Sequence, residues 1–262
     1  MRFLRRLIAA VVLLAGTRRQ LRQIAPAHLA GGGPLMLLGV ALGLALVGLW
    51  ELTAHLTRPH LAGAAVSAQA CAAAVCAAAW VGLVCRKGVL AMIQTLAPRR
   101  RRLKWPALAA VAIAWAIALN YAVRYWDPDW PTHLPPAAAW LWPRALYRAI
   151  MLAPVWGSWA MLVLPKFHPP TGRTDPQTRT LAHSTSPLAA AVFLALPLAG
   201  SFIYLMFLGQ AGRFVPPAAA ILAALGGGTI LIRIRGRLCR EALLAANVLT
   251  QAAFMLAYLT VR

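Results

Sequence analysis

The sequence predicts an all-α fold: a polytopic transmembrane bundle of about seven spans, with a cytoplasmic N-terminus and a short basic interfacial helix ahead of the first span. Three observations predict it. The 262-residue chain is 61% hydrophobic and only 12% charged, outside the usual soluble range. Its apolar runs repeatedly reach the roughly 17–25 residues that cross about 30 Å of hydrocarbon. Its basic residues gather between those runs, alternating rich and poor from one loop to the next. Residues 1–33 then form an interfacial segment and residues 34–262 the bundle.

The N-terminal segment carries arginines at 2, 5, 6, 18, 19 and 22 around a ten-residue apolar run, Leu7 to Gly16. A basic start with a short apolar stretch is signal-like. Arg18 and Arg19 directly after the run oppose export, and the run is short for a span. A basic helix lying on the cytoplasmic face accounts for both features. Ala25-Pro26 and Gly31-Gly32-Gly33-Pro34 interrupt the chain before the first span.

Seven runs follow: Leu35–Trp50, Leu61–Cys85, Pro106–Val123, Ala145–Leu164, Pro187–Leu208, Phe214–Ile232 and Ala242–Val261. With the N-terminus inside, the inner segments (1–34, 86–105, 165–186 and 233–241) hold six, seven, three and four basic residues. The outer segments and their flanking turns hold Arg58, Arg124, Arg144, Arg148, Arg213 and Arg262. The inner segments together hold 20 basic residues against six outside, and no inner loop holds fewer than its outer neighbours, in line with the positive-inside rule. An eighth span at Leu7–Gly16 would place Arg2, Arg5 and Arg6 outside. The setting is the cytoplasmic (inner) membrane of a bacterium.

Within the spans, small residues and helix breakers stand out. Gly63, Ser67 and Cys71 recur every four residues in the second span, as do Ala64, Ala68 and Ala72; Gly39 and Gly43 repeat the pattern in the first. Such faces let a neighbouring helix approach closely. Pro154 and Pro197 lie mid-run and predict kinks, with Ser158 and Ser201 four residues on to take up freed carbonyls. Gly226-Gly227-Gly228 interrupts the sixth span. Asn120, Asn247, Gln69 and Gln251 are polar residues inside spans, where interhelical hydrogen bonding is the default role. Residues 165–186, polar with Pro and Gly, read as an exposed cytoplasmic loop.

The net charge of +21 raises nucleic acid as a partner. The clustering of the basic residues between apolar runs favours topology and anionic phospholipid instead. Arg99, Arg100, Arg101, Arg102 and Lys104, followed by Trp105, form the strongest candidate contact with anionic lipid at the cytoplasmic face. The four cysteines include no C-x-x-C pair. Cys71, Cys76 and Cys85 share one helix and are poorly placed to bridge one another.

The stretch Tyr121–Arg148 differs most from its surroundings: two of five acids, four of ten tryptophans and five of nineteen prolines. It reads as a structured cap at the outer surface. Arg124, Asp127, Asp129, His133, Arg144 and Arg148 are its candidate binding residues. Arg144 and Arg148 are helix neighbours. They either pin the loop through Asp127 and Asp129 or clamp a lipid-linked phosphate, as guanidinium geometry permits; pinning is the simpler reading. Glu51 and His55, four apart, sit at the same end. Carboxylates and imidazoles together bind zinc, but this spacing matches no zinc motif, so neither metal nor cofactor is expected.

No G-x-S-x-G, H-E-x-x-H or GK[ST] phosphate loop is present. The last span has no lysine for a retinal Schiff base, so seven spans do not make a rhodopsin. Three functions remain. A non-enzymatic membrane subunit or assembly component, with a membrane protein partner or a second copy, fits best. A transporter or permease would use the breakers at Pro154, Pro197 and Gly226–Gly228. An enzyme on a lipid-linked phosphate would use Asp127 or Asp129 as base.

Overall fold

In the computed structural model every regular element among the described residues is a helix. The structure describes residues 2–23, 25, 31–58, 67–97, 102, 104–124, 145–205 and 209–261. In chain order these give α1 (Arg2–Ala15), α2 (Arg18–Gln23), α3 (Gly33–Thr57), α4 (Ala68–Leu96), α5 (Lys104–Arg124), α6 (Ala145–Phe167), α7 (Pro176–Ser184), α8 (Pro187–Tyr204), α9 (209–235) and α10 (Arg240–Thr260). Seven of them, α3 to α6 and α8 to α10, are long and apolar enough to cross a membrane. The seven predicted runs and the seven helices coincide in order.

Local chemistry marks the helix ends. Thr17 and Gln20 form a reciprocal capping box that starts α2: Gln20 N–H donates to Thr17 Oγ1, and Thr17 N–H to Gln20 Oε1. The side chains of Ser67, Asp175 and Ser186 accept from the first turns of α4, α7 and α8. Proline opens three of the helices: Pro34 in α3, Pro176 in α7 and Pro187 in α8 occupy first-turn positions, where no N–H is needed. Gly236, at φ +69°, ends α9 in the left-handed region.

α6 and α10 form the centre. Their membrane windows are 83% and 72% buried, against 17% for α8 and 22% for α5. α6 packs on α3, α8 and α10; α10 also packs on α4 and α9; α5 lies outside α4. Close approach depends on glycine. A Cβ on Gly39 would lie 2.7 Å from Ser158 Oγ and 2.9 Å from the Pro154 carbonyl. One on Gly43 would collide with the backbone of Met151, and one on Gly88 with that of Leu244. The Gly39/Gly43 pair therefore forms the α3–α6 seam. The small face of α4 is carried by Ala72, Ala73, Cys76 and Ala77, all buried, while Gly63 and Ala64 lie outside the described residues.

Several expectations are corrected. The second span does not end at Cys85: α4 runs on to Leu96, so much of the expected basic loop is helix. Gly88, Val89 and Ala91 give this extension a buried face against α10, enough to continue a helix past two cations. Pro154 and Pro197 lie inside helices that continue past them, as the sequence placed them, but Ser201 Oγ takes a different partner and accepts from the Trp156 indole. Gly226 and Gly227 are wound into a π segment, Ala223–Gly227, and Gly228 begins the α-helix that follows it. A second π segment, Trp80–Cys85, lies within α4. Residues 168–184 are not simply an exposed loop. α7 folds over the bundle end, burying Thr178, Leu181 and Ala182.

Candidate functional site

Polar chemistry gathers at two levels, mid-bundle and the end where α10 begins. At mid-bundle α10 supplies Asn247 and Gln251, one turn apart. Gln251 Nε2 donates to Asn247 Oδ1 at 2.6 Å, and Gln251 Oε1 accepts from Trp80 Nε1 at 2.6 Å. The Cys85 thiol reaches the same oxygen at 3.7 Å, and Asn247 Nδ2 meets Met161 Sδ at 3.4 Å. The π segment makes this possible. Its wider turn brings residues five apart onto one face, so Trp80 and Cys85 share an acceptor. Gly157 closes the arrangement, since a Cβ there would lie 2.8 Å from Gln251 Nε2 and 3.0 Å from Asn247 Cγ. Trp156 and Trp159 donate to Ser201 Oγ and the Ala190 carbonyl, binding α6 to α8.

At the end where α10 begins, opposite charges are placed on opposite helix poles. Asp175 accepts from Thr178 N–H through Oδ1 and from Arg240 N–H through Oδ2, so one carboxylate serves the N-termini of both α7 and α10. The Arg240 guanidinium turns the other way. It donates to the carbonyls of Val12, Leu13 and Gly16, the C-terminal pole of α1. α1 thus lies across this end, with Ala9, Ala10, Leu13 and Leu14 buried and Phe3, Leu4, Ile8 and Val11 exposed. Arg179 and Arg237 donate to loop carbonyls at 171–174. Arg235 binds Thr95 Oγ1 and the Ala91 carbonyl, joining α9 to α4.

His168 follows α6 and shares a 2.9 Å hydrogen bond with Thr229 Oγ1. Burial, and then the charge of Arg233, hold its pKa below the ordinary 6.5. A depressed imidazole binds fewer protons folded than unfolded, so its stabilising contribution is present above about 6.5 and is lost as pH falls through the folded value. Melting temperature in detergent should therefore fall between pH 7 and pH 5, and His168→Gln should flatten that slope. An unchanged slope would remove the assignment.

At the opposite end, Arg148 is buried and donates to the Tyr204 carbonyl at 3.1 Å. Trp50 meets Tyr147 edge-on and donates to Gln69 Oε1. Of the outer-face candidates, the structure places Arg148 and the backbone of Arg124; Asp127, Asp129, His133 and Arg144 lie outside the described residues. Glu51 and His55 are exposed on the last turns of α3. Among the described residues no three His, Cys, Asp or Glu side chains converge. Arg99, Arg100 and Arg101 also lie outside the described residues, whereas Arg102 is exposed and Lys104 begins α5.

No protein-family model matches the chain, and no curated protein or solved structure is significantly similar to it. Seven apolar helices make it a multi-pass membrane protein.

Gln251 and Asn247 were visible in the sequence as polar residues in a span, and the hydrogen bonds confirm that role for Gln69 as well. Asn120 differs: its Oδ1 is buried without a hydrogen-bond partner among the described residues. Asp175 and Arg240 were missed. Each looked like an ordinary loop charge, and only the D-P-x-T start of α7 signals a helix cap.

Proposed function

We propose that the chain is a non-catalytic subunit or assembly component of a membrane complex. It sits in a bacterial cytoplasmic membrane, its α1-covered end facing the cytoplasm among anionic phospholipids. The supporting observation is the mid-bundle chain Trp80–Gln251–Asn247–Met161. Its donors and acceptors are spent on one another, with Gly157 pressed against them. Such a centre fixes helix positions. A transport path along this centre would need polar groups turned toward a passing solute, whereas these are hydrogen-bonded to one another. The outward sides of α5 and α8, with Ile113, Ile117, Leu188 and Val192 exposed, are left for lipid or a partner span.

Native mass spectrometry of the protein released gently from its own membranes tests this reading. A stoichiometric protein partner, or a second copy, is the expected result. A partner-free monomer would overturn it. So would a retained polyprenyl phosphate lost in Arg144→Ala plus Arg148→Ala, which would move the function to the outer face.

A further inference from the structure

The connection between α6 and α7 gathers three arginines around one four-residue turn. Arg179, on α7, donates through Nη2 to the carbonyls of Thr171, Gly172 and Thr174 at 3.1, 3.2 and 3.4 Å. Arg237, from the link between α9 and α10, donates through Nη1 to the carbonyl of Arg173 at 3.0 Å. Arg173 is itself exposed, and no hydrogen bond or ion pair engages its side chain among the described residues. A guanidinium carries five N–H groups, so Arg179 and Arg237 keep donors on the nitrogens that these carbonyls do not use. The turn thus fixes two guanidinium groups in place beside a third that is unengaged.

Like charges held this close repel one another, and little nearby offsets them. Asp175 follows the turn, and both its oxygens already accept backbone N–H groups, from Thr178 and Arg240. Glu241 lines a cavity between α1, α4 and α10 instead. The excess positive charge calls for an oxyanion, and the planar guanidinium fork matches a carboxylate. Position selects among the possible anions. α6 and α10 are the most buried spans, at 83% and 72%, so the connections that follow α6 and precede α10 meet over the middle of the bundle end. Surrounding lipid reaches the sides of the bundle rather than this centre. Phe167, the last residue of α6, is 62% exposed there. An exposed ring near arginines has the composition of a protein interface, where both are enriched. A nucleic acid would call for a longer basic track with several stacking rings.

We infer that this end of the bundle carries a docking spot for an acidic segment of a protein partner, its carboxylates on Arg173, Arg179 and Arg237 and an apolar side chain on Phe167. This rests on the reading of the chain as a subunit whose α1-covered end faces the cytoplasm, and it adds the surface and the chemistry of the contact.

The test uses the full chain in phosphatidylcholine nanodiscs and a fluorescein-labelled peptide of glutamates around one central phenylalanine, with binding read by anisotropy. Arg173→Glu should weaken binding about tenfold, whereas Arg19→Glu, exposed on α2, should change it less than about twofold. Arg173→Glu should leave the melting temperature in place, since its side chain makes no described contact. Phe167→Ala should weaken this peptide but not an all-glutamate one. No binding to the wild type, or equal losses in the two arginine variants, overturns the spot; equal losses would show diffuse attraction to the net charge of +21. An RNA oligonucleotide of equal charge that binds more tightly and also depends on Arg173 assigns the spot to nucleic acid and overturns the inference. So does phosphatidylglycerol retained by the wild type in native mass spectra and lost in Arg173→Glu, which assigns it to the leaflet. Native mass spectra of both arginine variants released from their own membranes separate this inference from the reading beneath it. A partner kept by Arg19→Glu and lost from Arg173→Glu supports both. A partner kept by both variants overturns the spot and leaves the subunit reading, and its absence from the wild type removes both.

Discussion

Gly43→Leu is expected to separate α3 from α6 and leave little folded protein in detergent. The Cβ alone would collide with the Met151 carbonyl and lie 2.8 Å from its Cα. Those are backbone atoms of the most buried helix and cannot rotate away. Overpacking a tight core costs about 1–3 kcal/mol for small additions, and four side-chain carbons against backbone exceed that range. Gly48 is the internal control. It lies in the same helix with nothing within 4 Å of its Cβ position, and alanine there should gain up to about 1 kcal/mol in helix propensity. Gly43→Ala and Gly48→Ala should therefore move the melting temperature in opposite directions. Equal shifts would mean that the Gly39/Gly43 seam is not where the helices meet.

Gln251→Leu should be the most damaging polar-to-apolar change in the core. Leucine fills a similar volume but leaves Trp80 Nε1 without its acceptor and Asn247 Oδ1 without its donor. Each buried group left unpaired costs about 1–3 kcal/mol, more than the roughly 0.6 kcal/mol of a typical interhelical bond in a membrane. The double change Gln251→Leu with Trp80→Phe removes the orphaned donor and should recover part of the loss. A double variant no better than Gln251→Leu alone would show that the Trp80 bond contributes nothing. The Trp80 indole also stacks on Trp115 at 5.3 Å, so the fluorescence of this pair should report the same disruption.

The count and order of the spans were legible because each run answers to one physical demand, enough apolar length to cross hydrocarbon. The end of the second span was not. Arg86 and Lys87 read as a stop, whereas the helix persists because Gly88 lets it lie against α10. The π segment at Trp80–Cys85 was hidden for another reason: the surrounding run is almost wholly apolar, so one face looks like any other. The prolines were legible as positions within spans: α6 and α8 continue past Pro154 and Pro197, because a membrane helix tolerates a missing donor. Of the outer-face candidates, Arg148 carries a described contact, to the Tyr204 carbonyl, while the acids expected near it, Asp127 and Asp129, lie outside the described residues.

The bonds from Arg240 to Val12, Leu13 and Gly16 join residues separated by 224 to 228 positions. At ribosomal speeds of 5–20 residues per second, α1 emerges roughly 10–50 s before the side chain that caps it. Its packing against α3 is available long before then, but the carbonyls at its C-terminal pole lack this partner throughout that interval. The cap on the C-terminal pole of α1 therefore forms only after α10 has been made, and a chain halted before α10 leaves those three carbonyls without it.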